Sequence, residues 1–292
     1  MKKNIVNILH GFCMALADSV PGISGGTVAF ILGFYDEFIN SVNSLISKGH
    51  NKKKAIKFLI KLGIGWAIGM SISSFILSSL FEKHIYSVSS LFIGFIVFAI
   101  PLIVRDEKDR LKGKFWYLFY TLIGILIVSI ITYFNPVGGG SSIEIDNLNI
   151  GLVLYLFFAG IVAISAMVVP GISGSTILLI FGLYVPIITS INEFLHFNFK
   201  VLPILIIFGI GVITGILIIV KIIKKAFDKY RSQTIYLVFG LMIGSIYAII
   251  MGPTSLEVAQ EAMSFGTFNI LFFIIGGIVV YGLEVLRKKL DN

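Results

Sequence analysis

The sequence predicts an all-α, polytopic membrane protein built as an inverted-topology repeat, and three observations lead there. The 292-residue chain is 57% hydrophobic and 13% charged, with a mean hydropathy of +0.99; a soluble fold of this size needs far more polar surface. Its charges gather unevenly in short links between apolar blocks: three links are crowded with Lys and Arg, one of them diluted by Asp106, Glu107 and Asp109, and two others carry acids alone. The stretch VPGISGGT at 20–27 returns almost unchanged as VPGISGST at 169–176.

The first apolar block, 5–46, is interrupted by the first copy of that motif. Met1-Lys2-Lys3 precedes it, but His10, Asp18 and the Pro-Gly break do not fit a cleavable signal peptide. Blocks 58–80, 86–104 and 115–134 follow, most of them close to the ~20 residues of a spanning helix. Block 150–191 carries the second copy, and 201–220, 234–251 and 268–286 complete the series. Lys48, Lys52, Lys53, Lys54 and Lys57 crowd one link; Arg105, Lys108, Arg110, Lys112 and Lys114 crowd another; Lys221, Lys224, Lys225, Lys229 and Arg231 crowd a third. Links 135–149 and 252–267 have acids and neither Lys nor Arg.

The positive-inside rule then gives one consistent path. Blocks 5–46 and 150–191 each return to the side they started from, as hairpins that are either re-entrant or fully spanning. Every strongly basic link, Arg287-Lys288-Lys289 and both termini fall in the cytoplasm, which accounts for the net charge of +8 without nucleic acid. The expected location is a bacterial plasma membrane. A single cysteine, Cys13, rules out an internal disulfide, and four histidines without clustered spacing give little support for a metal. No cofactor is expected, and the oligomeric state is left open.

At an offset of 149, ADSVPGISGGTVAFILGFYDEFI (17–39) and AMVVPGISGSTILLIFGLYVPII (166–188) share 12 of 23 positions. At an offset of 146, Gly63, Gly65, Gly69 and Gly94 meet Gly209, Gly211, Gly215 and Gly240. The first repeat is therefore 1–135 and the second 150–292, together one integral membrane domain. Each half is a broken hairpin plus three crossings. Three is odd, so the halves are expected to be inverted, as in many secondary transporters.

Within each motif the residue types point to an anion. Proline stops the preceding helix and the glycines allow a sharp turn. The next helix then starts with amides that lack intrahelical acceptors, at the positive end of its dipole. Ser24, Thr27, Ser173, Ser175 and Thr176 add hydroxyls. The competing reading is an ordinary surface turn between two full helices. Asp18, an acid in apolar sequence, is a candidate proton carrier; the alternative is a helix cap or a surface carboxylate, and its repeat counterpart is Met167. Tyr35 and Tyr184 lie about two turns beyond the motifs and are secondary candidates, with an interfacial role as the competing view. Lys61 reads as a snorkelling flank, Trp66 and Trp116 as packing and interface anchors, and His10 as a satisfied polar residue among helices.

ALADSVPGISGGTVAFILGFYDEFI and AMVVPGISGSTILLIFGLY resemble a family of bacterial membrane proteins, formerly a domain of unknown function, now regarded as polyprenyl-phosphate transporters. The resemblance covers essentially the whole chain. It implies return of undecaprenyl phosphate from the outer to the inner leaflet for cell-wall synthesis, with the carrier lipid and the bilayer as partners. Carried over by position, it implicates Asp18, Pro21, Gly22, Ser24, Gly25, Gly26, Thr27 and Tyr35, then Pro170, Gly171, Ser173, Gly174, Ser175 and Tyr184. Two other readings stay open on the residues alone. A small-anion channel or exchanger would use the same amides. A lipid pyrophosphate phosphatase is less favoured, because Gly-Ser-Thr after Ser173 carries no arginine and no Glu pair precedes the first motif.

Overall fold

The computed structural model describes residues 2–18, 24–46, 52–134, 149–181, 183–255 and 260–291, and every regular element among them is helical. The elements are α1 (Lys2–Asp18), α2 (Gly25–Ile31), α3 (Tyr35–Ile46), α4 (Lys52–Asp106), α5 (Lys108–Leu111), α6 (Leu118–Tyr133), α7 (Ile150–Val168), α8 (Gly174–Ile180), α9 (Tyr184–Leu195), α10 (Leu202–Met251) and α11 (Ile270–Asp291). Among the described residues, five stretches are long and apolar enough to cross a membrane: Lys52–Ile72, His84–Asp106, Phe115–Tyr133, Ile150–Val168 and Phe199–Thr254. Ile5–Asp18 and Ile270–Gly282 are shorter apolar helices. The last long stretch has 56 residues, more than twice the ~20 that one crossing needs.

Two of the expected links are no more than kinks. Those read at 81–85 and 221–233 each contain the residue at which two helices meet, within α4 and α10. Each helix is redirected by a single residue outside helical geometry, His84 (φ −133°, ψ 29°) and Tyr230 (φ −128°, ψ 40°). The lysines of 221–229 are good helix formers, so a change of direction there needs no loss of helix. The two bends are 146 residues apart, the offset of the glycines. Likewise α2 and α8 have seven residues each, α3 and α9 twelve each, and all four boundaries recur at an offset of 149.

Helix pairing follows the glycines. Apolar side chains gain nothing by leaving lipid for another helix, so small residues that let backbones approach are what hold spans together. On α1 and the first limb of α4, a Cβ at Gly11 would run into the Leu62 carbonyl, one at Gly65 into that of Ile8, and one at Gly69 would come within 2.8 Å of Phe12 O. On α7 and the first limb of α10, Gly160 faces Phe208 O, Gly211 faces Phe157 O and Gly215 faces Ile161 O. These are the same contacts one repeat later. The second limbs are paired crosswise. Gly94 of α4 and Gly276 lie against α11 and α4 backbone respectively, whereas Gly240 of α10 and Gly124 bring α10 and α6 together. Each half therefore lends its last helix to the other.

One end of the bundle is tied by charge. Arg231, next to the α10 bend, donates from Nη1 to Asp36 Oδ2 of α3 at 3.0 Å and from Nε to Glu107 Oε1 at 3.2 Å, and its Nη2 also reaches Glu107. Arg105 Nη2 meets Glu284 Oε1 of α11 at 2.9 Å, and Lys224 Nζ meets Asn40 Oδ1 at 2.6 Å. These bonds bring the basic links 105–114 and 221–231 to one face with α3 and the end of α11.

The glycine contacts make a differential prediction. Gly65→Leu and Gly211→Leu should each destabilise the detergent-solubilised protein by about 1–3 kcal/mol through overpacking. Gly63→Ala and Gly209→Ala, where an added Cβ meets nothing within 4 Å, should be neutral or gain up to ~1 kcal/mol of helix propensity. Thermal unfolding followed by circular dichroism reads both pairs.

Candidate functional site

The two motifs meet inside the bundle. Pro21 and Gly22 lie outside the described residues; the first motif is described from Ser24 onward. Ser24 is extended (φ −127°, ψ 150°) and its Oγ accepts the Thr27 amide at 3.2 Å, a serine N-cap on α2. In the second motif α7 ends at Val168, and Pro170 is fully buried. Gly171 has φ +93°, a left-handed conformation that suits glycine, and a Cβ there would also press against the Leu241 backbone at 2.5 Å.

The first motif braces the second. The Gly171 amide donates to Thr27 Oγ1 at 2.8 Å, the Ser24 hydroxyl to Val169 O at 3.4 Å, and the Tyr35 hydroxyl to Val168 O at 3.0 Å. From α10, the Ser245 hydroxyl reaches Gly171 O at 2.8 Å. Gly26 passes so near that an added Cβ would lie 2.7 Å from Val168 O. Ser24 and Thr27 are each only 1% exposed, so their hydroxyls serve the neighbouring turn.

Asp18 ends α1 and faces the start of α2. Its Oδ1 accepts the Gly25 amide at 2.6 Å, and its Oδ2 accepts the Trp66 indole N–H at 2.9 Å. The first amide of α2, expected to await an incoming anion, is thus held by the chain's own carboxylate. Trp66 is more than the packing anchor the sequence suggested. Trp116, 92% exposed, keeps the position of a surface anchor. His10 stacks on Phe34 with ring centroids 4.1 Å apart and planes 8° from parallel.

On the other side of Asp18 lies a cavity of about 220 Å³, walled by Met70, Met167, Ser173, Ser175 and Tyr184 among others. Drug-sized ligands occupy roughly 300–1,000 Å³, so this space suits a headgroup better than a whole lipid. Ser173 Oγ and Ser175 Oγ are 2.7 Å apart at its wall. Of the candidate residues, Asp18, Ser173, Gly174, Ser175 and Tyr184 line the cavity. Ser24, Gly25, Gly26, Thr27, Tyr35, Pro170, Gly171 and Thr176 are not among its described lining. Neither Lys61 nor any other lysine or arginine is among its described lining. The polar side-chain groups on its described wall are the hydroxyls of Ser173, Ser175 and Tyr184 and the Asp18 carboxylate.

The brace can be tested directly. Thr27→Val keeps the shape of the side chain but leaves the buried Gly171 amide without its acceptor, an expected cost of about 1–3 kcal/mol. Thr27→Ser restores the oxygen and should recover most of that loss in thermal unfolding.

Comparison with known proteins gives this geometry a context. A family described as undecaprenyl phosphate translocase-like matches residues 14–267. A polyprenyl-phosphate transporter of Staphylococcus aureus is 35% identical over 275 residues, 94% of this chain and 94% of its own. A polyprenyl-phosphate transporter of Vibrio cholerae is 30% identical over 250 residues, 82% of this chain and 75% of its own. No solved structure matches the chain. The family match spans both motifs and most of the helices that hold them, and on that extent the chain belongs to the undecaprenyl phosphate translocase-like family of membrane proteins.

Proposed function

We propose that this protein carries polyprenyl phosphate, undecaprenyl phosphate in particular, across the plasma membrane from the outer to the inner leaflet. It would thereby recycle the carrier lipid of cell-wall synthesis, acting as a transporter and not as an enzyme. The observation that carries the reading is the small, mostly apolar cavity with the Ser173 and Ser175 hydroxyls at its wall, in a chain whose relatives bear the name polyprenyl-phosphate transporter.

In this account the phosphate head sits against Ser173, Gly174 and Ser175, with Tyr184 beside it, while the isoprenoid tail stays in lipid. Ser24, Gly25, Gly26 and Thr27, with Pro170, Gly171 and Thr176, hold the two broken helices together around the head. Tyr35 supports them from α3. The halves 1–135 and 150–292 act as an inverted pair with re-entrant hairpins, both termini lie in the cytoplasm, and rocking of one half against the other exposes the site to each face in turn. A carboxylate and a phosphate in one apolar cavity repel unless a proton or cation comes between them. Asp18 is therefore the group proposed to take up and release a proton as the head passes.

Reconstitution tests this. Proteoliposomes carrying polyprenyl phosphate should equalise the lipid between leaflets, read as the fraction open to an impermeant phosphate-specific reagent. Ser173→Ala/Ser175→Ala should slow exchange at least tenfold, since a hydrogen bond to a charged group contributes about 1.5–3 kcal/mol. Asp18→Asn should abolish dependence of the rate on a proton gradient. Wild-type exchange in the serine double variant, or release of inorganic phosphate from the lipid or its pyrophosphate, would contradict the proposal.

A further inference from the structure

The Asp18–Trp66 hydrogen bond joins the end of α1 to α4 at the cavity wall, and the rest of the chain supplies a natural comparison for it. One repeat later, position 18 becomes Met167 and position 66 becomes Val212. Both of these line the same cavity as Asp18. The backbone surroundings are alike in the two halves: Gly65 and Gly69 flank Trp66 and press on α1, while Gly211 and Gly215 flank Val212 and press on α7. Close helix packing at this place is thus achieved with a valine, and does not call for an indole. Where the chain has the acid it also has the N–H donor; where it has the thioether it has the aliphatic side chain. The two residues change together.

We infer that Trp66 is a positioning residue for the headgroup site, holding the Asp18 carboxylate in one orientation through its Oδ2 while Gly25 N holds Oδ1. The inference rests on the reading of the cavity as the site of a phosphate monoester head. With α2 fixing one oxygen and α4 the other, turning the carboxylate further into the cavity would break a hydrogen bond, so it stays at the wall. The place at which the carboxyl takes up and releases its proton is then the same in every cycle. Because Trp66 sits on α4 and Asp18 on α1, the bond also ties the acid to both helices that form the cavity's first-half wall.

The test is a double-mutant cycle in proteoliposomes containing polyprenyl phosphate, with Asp18→Asn, Trp66→Phe and both together. Trp66→Phe should lower the maximal exchange rate about tenfold, the weight of one hydrogen bond to a charged group. In the Asp18→Asn background the same change should add no further loss. Multiplying losses, or a Trp66→Phe protein with the wild-type rate, would overturn the inference. Spectroscopy supplies a second readout that needs no folded Trp66 variant. The chain has two tryptophans, so a Trp116→Phe protein reports on Trp66 alone. Its emission should shift when polyprenyl phosphate is added and when Asp18 becomes Asn; constant emission in both cases overturns the inference. If Ser173→Ala/Ser175→Ala also exchanges lipid at the wild-type rate, the headgroup reading fails as well. If that variant is slow while Trp66→Phe is not, only the role of Trp66 fails.

Discussion

The structure depends on one constraint: two helix breaks in apolar surroundings must have their backbone groups satisfied by protein. A chain that stops a helix with Pro-Gly frees amides and carbonyls, and lipid offers them nothing. Here the solution is contact between the breaks. Thr27 Oγ1 takes the Gly171 amide, while the hydroxyls of Ser24, Tyr35 and Ser245 take the carbonyls of Val169, Val168 and Gly171. For the breaks to meet, the helices bearing them must come close. The paired glycines at 65 and 211, and at 69 and 215, let α1 and α7 seat against α4 and α10. The crosswise packing of α6 and α11 then fixes one half on the other.

The same constraint creates an asymmetry between two nearly identical motifs. In the first, the hydroxyls are spent on the neighbouring turn, and Asp18 occupies the opening amide of α2. In the second, Ser173 and Ser175 bond to each other at a cavity wall. A pair of hydroxyls that satisfy one another can exchange that bond for a phosphate oxygen with little loss. A hydroxyl holding a buried carbonyl cannot do so without leaving the carbonyl unpaired. The proposed binding role therefore falls to the second copy and the scaffolding role to the first. The acid that belongs to the first copy reaches across to the same cavity.

Much of the fold was legible because its signals are local or periodic. Hydropathy gives the apolar blocks, Pro-Gly marks the breaks, and the repeat offsets recur in helix boundaries to the residue. The links at 81–85 and 221–233 are legible from charge and polarity, and the bends at His84 and Tyr230 fall within them; that each is a kink at one residue and not a loop leaves no mark in composition. The polar pairings were illegible. Trp66 is 48 residues from Asp18, Glu107 is 124 from Arg231 and Asp36 is 195 from it, and no periodic pattern joins them. Nor can two copies of PGISG reveal which faces a cavity, since that depends on what packs behind each. The one trace in the sequence lay in the differences between halves, where Asp18 and Trp66 are replaced together by Met167 and Val212.

The central claim is that the second motif, and not the first, receives the phosphate. A structure of the protein determined with polyprenyl phosphate in the surrounding lipid tests it most directly. The account predicts headgroup density within hydrogen-bonding distance of Ser173 Oγ and Ser175 Oγ, with Asp18 still bound to Gly25 N and Trp66. Density seated on the start of α2 in place of the Asp18 carboxylate, or confined to the outer surface of the bundle, would contradict it.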